Sequence, residues 1–137
     1  MLKKYLKNDK GLTLVELLAV IVILGIIAAI SVPSIGGIIE KSRADAVKAE
    51  GIQVLNAAKL YIASEGAPST KLTSQELSEY ISENDDVWTK DYSVKVTGTD
   101  TITLNGTGEK GNVKIIFKNA TIKGINDFES ESGTIDE

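Results

Sequence analysis

Residues Leu12 to Val32 read LTLVELLAVIVILGIIAAISV, a run with one charge, Glu16, and otherwise only apolar or small residues together with Thr13 and Ser31. As an α-helix the run is about 32 Å long at roughly 1.5 Å per residue, which matches a hydrocarbon core of about 30 Å. It is long enough to span a bilayer. Lys3, Lys4, Lys7 and Lys10 precede it against Asp9 alone, whereas Glu40, Lys41, Arg43 and Asp45 after it cancel. That excess of positive charge places the N-terminus in the cytoplasm and everything beyond Pro33 outside.

The remaining sequence bounds the chemistry. With 137 residues the chain has room for one small domain beyond the apolar segment. It holds no Cys and no His, so thiolate nucleophiles, disulfides, imidazole bases and the usual zinc ligands are absent. No catalytic residue and no cofactor is expected. The net charge of −4 divides unevenly, because the first eleven residues carry +3 and the rest therefore −7. An acidic domain is poorly suited to phosphate backbones, and no direct nucleic-acid binding is expected.

Glu16 decides how the apolar run is read. A carboxylate within a membrane segment costs about 2.5–3.5 kcal/mol on insertion scales, and such a residue pairs with a partner or marks a functional position. Near the interface it can also snorkel or take up a proton. If the chain were cut between Gly11 and Leu12, the new α-amine, its own or a neighbouring chain's, would be the nearest cation, and the pairing would set axial register between subunits. An ordinary signal peptide is the competing reading, with Ala29 and Ser31 placing a cut after Ser31. Glu16 and the length of the run speak against it. A single-pass anchor that never polymerises is the third reading.

The stretch KGLTLVE, with a basic leader ending in Gly11, Leu12 next, Glu16 four residues on and an apolar helix leading to Pro33, resembles the prepilin signal of type IV pilins and pseudopilins. The resemblance covers about Lys3 to Lys48 and combines features that are each weak alone. It implies a cut after Gly11 by a prepilin peptidase, N-methylation of Leu12, and docking guided by Glu16 into a filament of identical or related pilin subunits, with the pilus assembly machinery and the cytoplasmic membrane as further partners. Most members have Phe where this chain has Leu12. The implied fold is α+β, type IV pilin-like: a long N-terminal helix, membrane-spanning in its first half, packed on a small antiparallel sheet. The implied sequence of locations is a single-pass, N-in precursor and then a cell-surface filament serving as a pilus or as a pseudopilus of secretion or DNA uptake. Gly25 and Pro33 bound the weakest part of the helix, since Pro33 removes the hydrogen bond to the Ala29 carbonyl at a cost of about 3 kcal/mol. Loss of helicity between them is expected in the assembled state.

These features divide the chain into a leader at 1–11, a transmembrane and assembly helix at 12–35 and an exported domain at 36–137. Within that domain a helix is predicted over 36–65, because Val47, Gly51, Val54, Leu55, Ala58 and Ile62 recur at helical spacing. Gly66, Ala67 and Pro68 end it. Thr73 to Glu76 form a capping-box pattern for a short helix over 74–83, closed by Asp85 and Asp86. A β-meander is predicted over 91–125, from runs at Tyr92–Val96, Thr101–Leu104, Val113–Phe117 and Thr121–Ile125 separated by Gly98, Asn105-Gly106 and Asn119. An acidic, solvated tail is predicted over 126–137.

Four features invite other readings. Gly106, Gly108 and Gly111 spell G-x-G-x-x-G, but they fall between predicted strands and read as a flexible hairpin loop rather than a dinucleotide site. Asn105 and Asn119 each open an N-x-T triplet at an expected turn and are assigned no modification. Asp127 and Glu129 offer hard oxygen ligands of the kind calcium takes, without EF-hand spacing, and no metal is assigned. Trp88, Tyr92 and Phe117 read as core fillers rather than a stacking platform.

Overall fold

The computed structural model describes residues 2–82, 86–98 and 101–137, residues 2–8 as backbone only. In chain order the elements are α1 (Leu2–Glu65), β1 (Leu72–Thr73), α2 (Ser74–Leu77), β2 (Ser93–Thr97), β3 (Thr101–Lys110), β4 (Val113–Ala120), α3 (Ile122–Asp127) and β5 (Gly133–Asp136). The fold is α+β, a long N-terminal helix with a five-stranded, mostly antiparallel sheet. Two compact units divide it, Met1–Ile38 and Ile39–Glu137, and α1 contributes to both.

In the second unit α1 buries one face. Val47, Val54, Leu55 and Ala58 are fully enclosed, with Ala44 and Ala57 beside them. The spacing that predicted a helix therefore also named its buried side. α1 stops at Gly66, whose φ of +91° and N–H bond to the Ile62 carbonyl at 3.0 Å form a left-handed cap.

The sheet order is β1-β2-β3-β4-β5. β3 and β4 are joined by the two-residue turn Gly111-Asn112, since Lys110 pairs with Val113. Glycine first in that turn, at φ +62°, fits the type II′ pattern. β3 is longer than its partner β2, and its outer half is bordered by residues 87–89 through bonds from Glu109 N to Val87 O at 2.7 Å and from Thr89 N to Thr107 O at 3.2 Å. This contact brings Trp88 onto Tyr92 and Phe117, with ring centroids 4.7 and 5.6 Å apart.

Six expectations need correction. The Asn105-Gly106 pair does not break the meander, because β3 runs straight through it. Gly106 and Gly108 are strand residues facing the core rather than a flexible loop, and β4, not a helix, follows Gly111. The reason is space: a Cβ on Gly108 would stand 2.6 Å from Val47 Cγ1, and one on Gly106 2.9 Å from Tyr92 Cβ. Asn119 likewise is no turn. Between the Leu104–Ala120 and Gly106–Phe117 pairs β4 carries one more residue than β3, and Asn119 takes a φ of +51° in this bulge. Asn105 Oδ1 accepts the Asn119 backbone N–H at 3.0 Å.

The predicted strand Thr121–Ile125 is instead helix α3. Thr121 caps it by accepting the Gly124 N–H at 3.1 Å, and Ile125 turns into the core. A β-branched run is a weak prior that a good N-cap overrides. The tail is ordered as well. Residues 121–132 cross over so that β5 adds to β4 in parallel, Ile135 is buried, and Lys118 Nζ meets Asp136 Oδ2 at 2.6 Å. Finally, α2 closes at Leu77 rather than reaching 83. It has its capping box, in which Glu76 Oε2 accepts from Thr73 N and Thr73 Oγ1, both at 2.8 Å. Those two bonds hold the Glu76 carboxyl below its ordinary pKa. Beyond Leu77 only turns follow, as Tyr80 leans edge-on against Tyr61 at 5.7 Å and bonds Ser64 through its hydroxyl at 2.9 Å. Glu83 and Asp85 lie outside the described residues.

Helix and sheet approach closely where glycines stand on both sides. Gly108 receives Val47, and Gly51 receives Phe117, whose Cε1 would lie 2.9 Å from an added Cβ. The substitution Gly108→Ala should therefore destabilise the domain by about 1–3 kcal/mol through overpacking. Denaturant unfolding of the full chain in detergent, followed by Trp88 fluorescence, measures the loss.

Candidate assembly segment

The first unit, Met1–Ile38, is helical from Leu2 onward with Pro33 inside the helix. From Leu12 to Ile39 the large apolar side chains point in every direction around α1 and remain 44–70% exposed. Its most apolar 18-residue window has a mean hydropathy of 2.9 and buries none of its surface. The core helix of a water-soluble domain would hide such a window. This one requires an apolar environment that the chain itself does not supply.

At the front of the segment the site residues stand within two turns. Apart from its chain neighbours and the adjacent backbone of α1, no described atom lies within 4 Å of where a Cβ on Gly11 would be. Leu12 is itself exposed. Glu16 follows at i+4, one turn on and on the same face, the spacing at which helical side chains become neighbours. It forms no ion pair among the described residues, and the leader lysines Lys3, Lys4 and Lys7 lie outside the described side chains.

Those positions suggest why a free amine at Leu12 would suit the site. Helices carry about half a positive charge at the N-terminus, which favours an acidic side chain in the first turn. A helix beginning at Leu12 would have Glu16 near its new end, where both the dipole and the α-amine stabilise the carboxylate. Thr13 is the local residue that motif reading overlooked. Its hydroxyl bonds back to the carbonyls of Lys10 at 3.0 Å and Asp9 at 3.3 Å, so it ties the leader to the segment across the Gly11–Leu12 bond. Its signal was a threonine three residues beyond Lys10, a spacing at which hydroxyls back-bond to helix carbonyls.

Residues 6–32 match the family model described as the prokaryotic N-terminal methylation motif. The chain carries the prepilin-type N-terminal methylation motif. The match contains Gly11, Leu12, Glu16 and Gly25 and ends at Val32, one residue before Pro33. The second unit, Ile39–Glu137, lies outside it. No curated protein and no solved structure matches the chain.

The other candidate positions do not join this site. Asp127 pairs with Lys123 at 3.2 Å, one turn away on α3. Among the described residues no three His, Cys, Asp or Glu side chains gather where they could hold a metal ion, so Asp127 and Glu129 belong to no such group.

Gly25 and Pro33 both sit in unbroken helix, and nothing lies within 4 Å of a Cβ position at Gly25. Pro33 has no N–H to offer the Ala29 carbonyl. The helix is thus continuous yet one hydrogen bond short at this point. Pro33→Ala should restore that bond and favour the helix by about 3 kcal/mol. Amide hydrogen exchange of the detergent-solubilised chain should slow between residues 25 and 37 and stay unchanged near Leu18.

Proposed function

We propose that this protein is a structural, non-enzymatic subunit of a type IV pilus or a related pseudopilus, processed by a prepilin peptidase and polymerised through its N-terminal helix. The observation that carries the proposal is Glu16, a lone carboxylate one helical turn beyond the Gly11–Leu12 bond in a helix that is apolar and exposed on every face. Before assembly the segment anchors the subunit in the cytoplasmic membrane, N-terminus inside and domain outside. A cut after Gly11 removes the leader, and the amine of Leu12 is then methylated.

Assembly moves α1 from lipid to a bundle of like helices. Lipid tails and leucine side chains are equally apolar, so the transfer gains little from the hydrophobic effect and depends on packing and polar pairing. Glu16 supplies the pairing by meeting the terminal amine of a neighbouring subunit, and that contact sets the axial step. Gly25 to Pro33, short of one hydrogen bond, is where the helix gives way as subunits pack. The domain then coats the filament.

The mature N-terminus separates this proposal from its competitors. Mass spectrometry of the protein from its native host should find N-methyl-Leu12, whereas Val32 would indicate ordinary signal cleavage and a start near Met1 a simple anchor. Glu16→Ala should leave the amount of protein in the membrane unchanged and abolish filaments in sheared surface material viewed by electron microscopy. Normal filaments from that variant would refute the register role.

A further inference from the structure

Within α1, residues Ser31 to Ile39 read SVPSIGGII. None of them is a strong helix former such as Ala, Leu, Arg, Met, Lys, Gln or Glu, and Pro33, Gly36 and Gly37, the poorest formers, fall within five positions. The others are two serines and the β-branched Val32, Ile35, Ile38 and Ile39, which lose side-chain freedom in a helix. By contrast, six of the next nine residues, EKSRADAVK, are strong formers. Burial does not make up the deficit. Every residue from Val32 to Ile39 is exposed, and the buried face of α1 begins only at Ala44.

The two glycines have no counterpart to the reason that explains Gly51 on the same helix, where Phe117 would stand 2.9 Å from an added Cβ. Chain neighbours and the adjacent helix backbone apart, no described atom lies within 4 Å of that position at Gly36 or Gly37. The methylation motif does not account for them either, since its match ends at Val32. In hydrocarbon a helix holds because a broken backbone bond finds no water to replace it. A span from Leu12 to Val32 already fills a core of about 30 Å, so residues 33–39 emerge among the headgroups, where water is at hand. Strong propensity, burial and a dry environment are all missing there.

We propose that Gly36-Gly37 is a hinge on which the domain turns while the spanning helix stays fixed in lipid. The pair stands beside the boundary between the two compact units, at Ile38 and Ile39, and glycine pairs are among the few causes of sharp helix bending. Two glycines in place of two alanines raise the ratio of open to helical backbone by roughly twentyfold. Opening frees the carbonyls of Val32 and Pro33, the acceptors four residues back, to water rather than to lipid. The hinge thus differs from the stretch between Gly25 and Pro33, whose loss of helicity belongs to the assembled state. It acts in the single anchored subunit, and it rests on the reading of 12–32 as a membrane span, not on the polymer.

The test uses the full-length chain as monomer in lipid nanodiscs. Because the chain has no cysteine, paired spin labels can be placed at Ile21→Cys in the span and Lys95→Cys on β2, both exposed positions. Pulsed electron resonance should give a broad distribution of distances between them, and Gly36→Ala with Gly37→Ala should narrow it about twofold. A control pair within the second unit, Lys59→Cys with Lys95→Cys, should keep its width. Amide exchange from Gly37 to Lys41 should slow by roughly tenfold in the same double variant and stay unchanged at Val54. Equal widths and equal exchange with glycine and with alanine overturn the hinge, and leave close packing between neighbouring helices as the role of the pair. If the unaltered chain does not enter the nanodisc, the membrane reading has failed instead, and the two failures are distinguishable.

Discussion

A helix that is apolar on every face cannot be satisfied by its own chain. Between Leu12 and Ile39 that is the condition of α1. The helical backbone bonds itself internally, which is what a hydrocarbon environment demands, and the side chains leave open which apolar environment surrounds them. Lipid and a bundle of like helices serve equally well. Near-equality of the two would allow a subunit of the proposed filament to leave one for the other, and small polar features such as Glu16 and Pro33 would then weigh more than they do in an ordinary anchor.

Past Ile39 the same helix obeys a different rule. Only one face is apolar, and it meets a sheet brought unusually near by reciprocal glycines, with Val47 set against Gly108 and Phe117 against Gly51. Close packing of this kind contributes dispersion contacts that a domain without cysteine, and so without disulfides, needs for stability. The edges are secured by short polar devices: the Asn105 side chain on the bulge at Asn119, the Glu76 carboxylate on Thr73, and the clasp of Lys118 with Asp136. Glu137 adds a hydrogen bond from Thr121 and fills the space beside Gly124, which fastens the C-terminus over the start of α3.

What could be read from the sequence followed the strength of each local signal. The apolar run and the helical spacing of Val47 to Ala58 are long patterns with one physical meaning, and they marked the long helix and the buried face of α1, while the Thr73–Glu76 pattern marked the capping box. The glycines of β3 were misread because a glycine permits a turn and a close approach equally well; the choice depends on Val47 and Tyr92, residues distant in sequence. Thr121 to Ile125 offered β-branched residues and a helix cap at once, and only the cap survived. The tail was judged by its charge, which concealed Ile135, the one apolar residue whose burial draws a strand onto β4. The open cavity lined by Lys59, Ile102, Ile122 and Lys123 had no sequence signature, since α1, β3 and α3 bring its residues together only on folding.

Charge connects the two ends of the molecule under the proposed processing. The leader holds four lysines against one aspartate, and each lysine near an anionic cytoplasmic leaflet is worth about 1 kcal/mol of attraction. While the leader is attached, that attraction and the membrane potential both resist withdrawal of the helix. A cut after Gly11 removes the lysines together, changes the side-chain charge from −4 to −7, and leaves a single α-amine as the only positive group at that end. The residue best placed to answer that amine is Glu16. Under that proposed processing, a single proteolytic step would both weaken the hold of the membrane and create the charge that a neighbouring subunit's carboxylate requires.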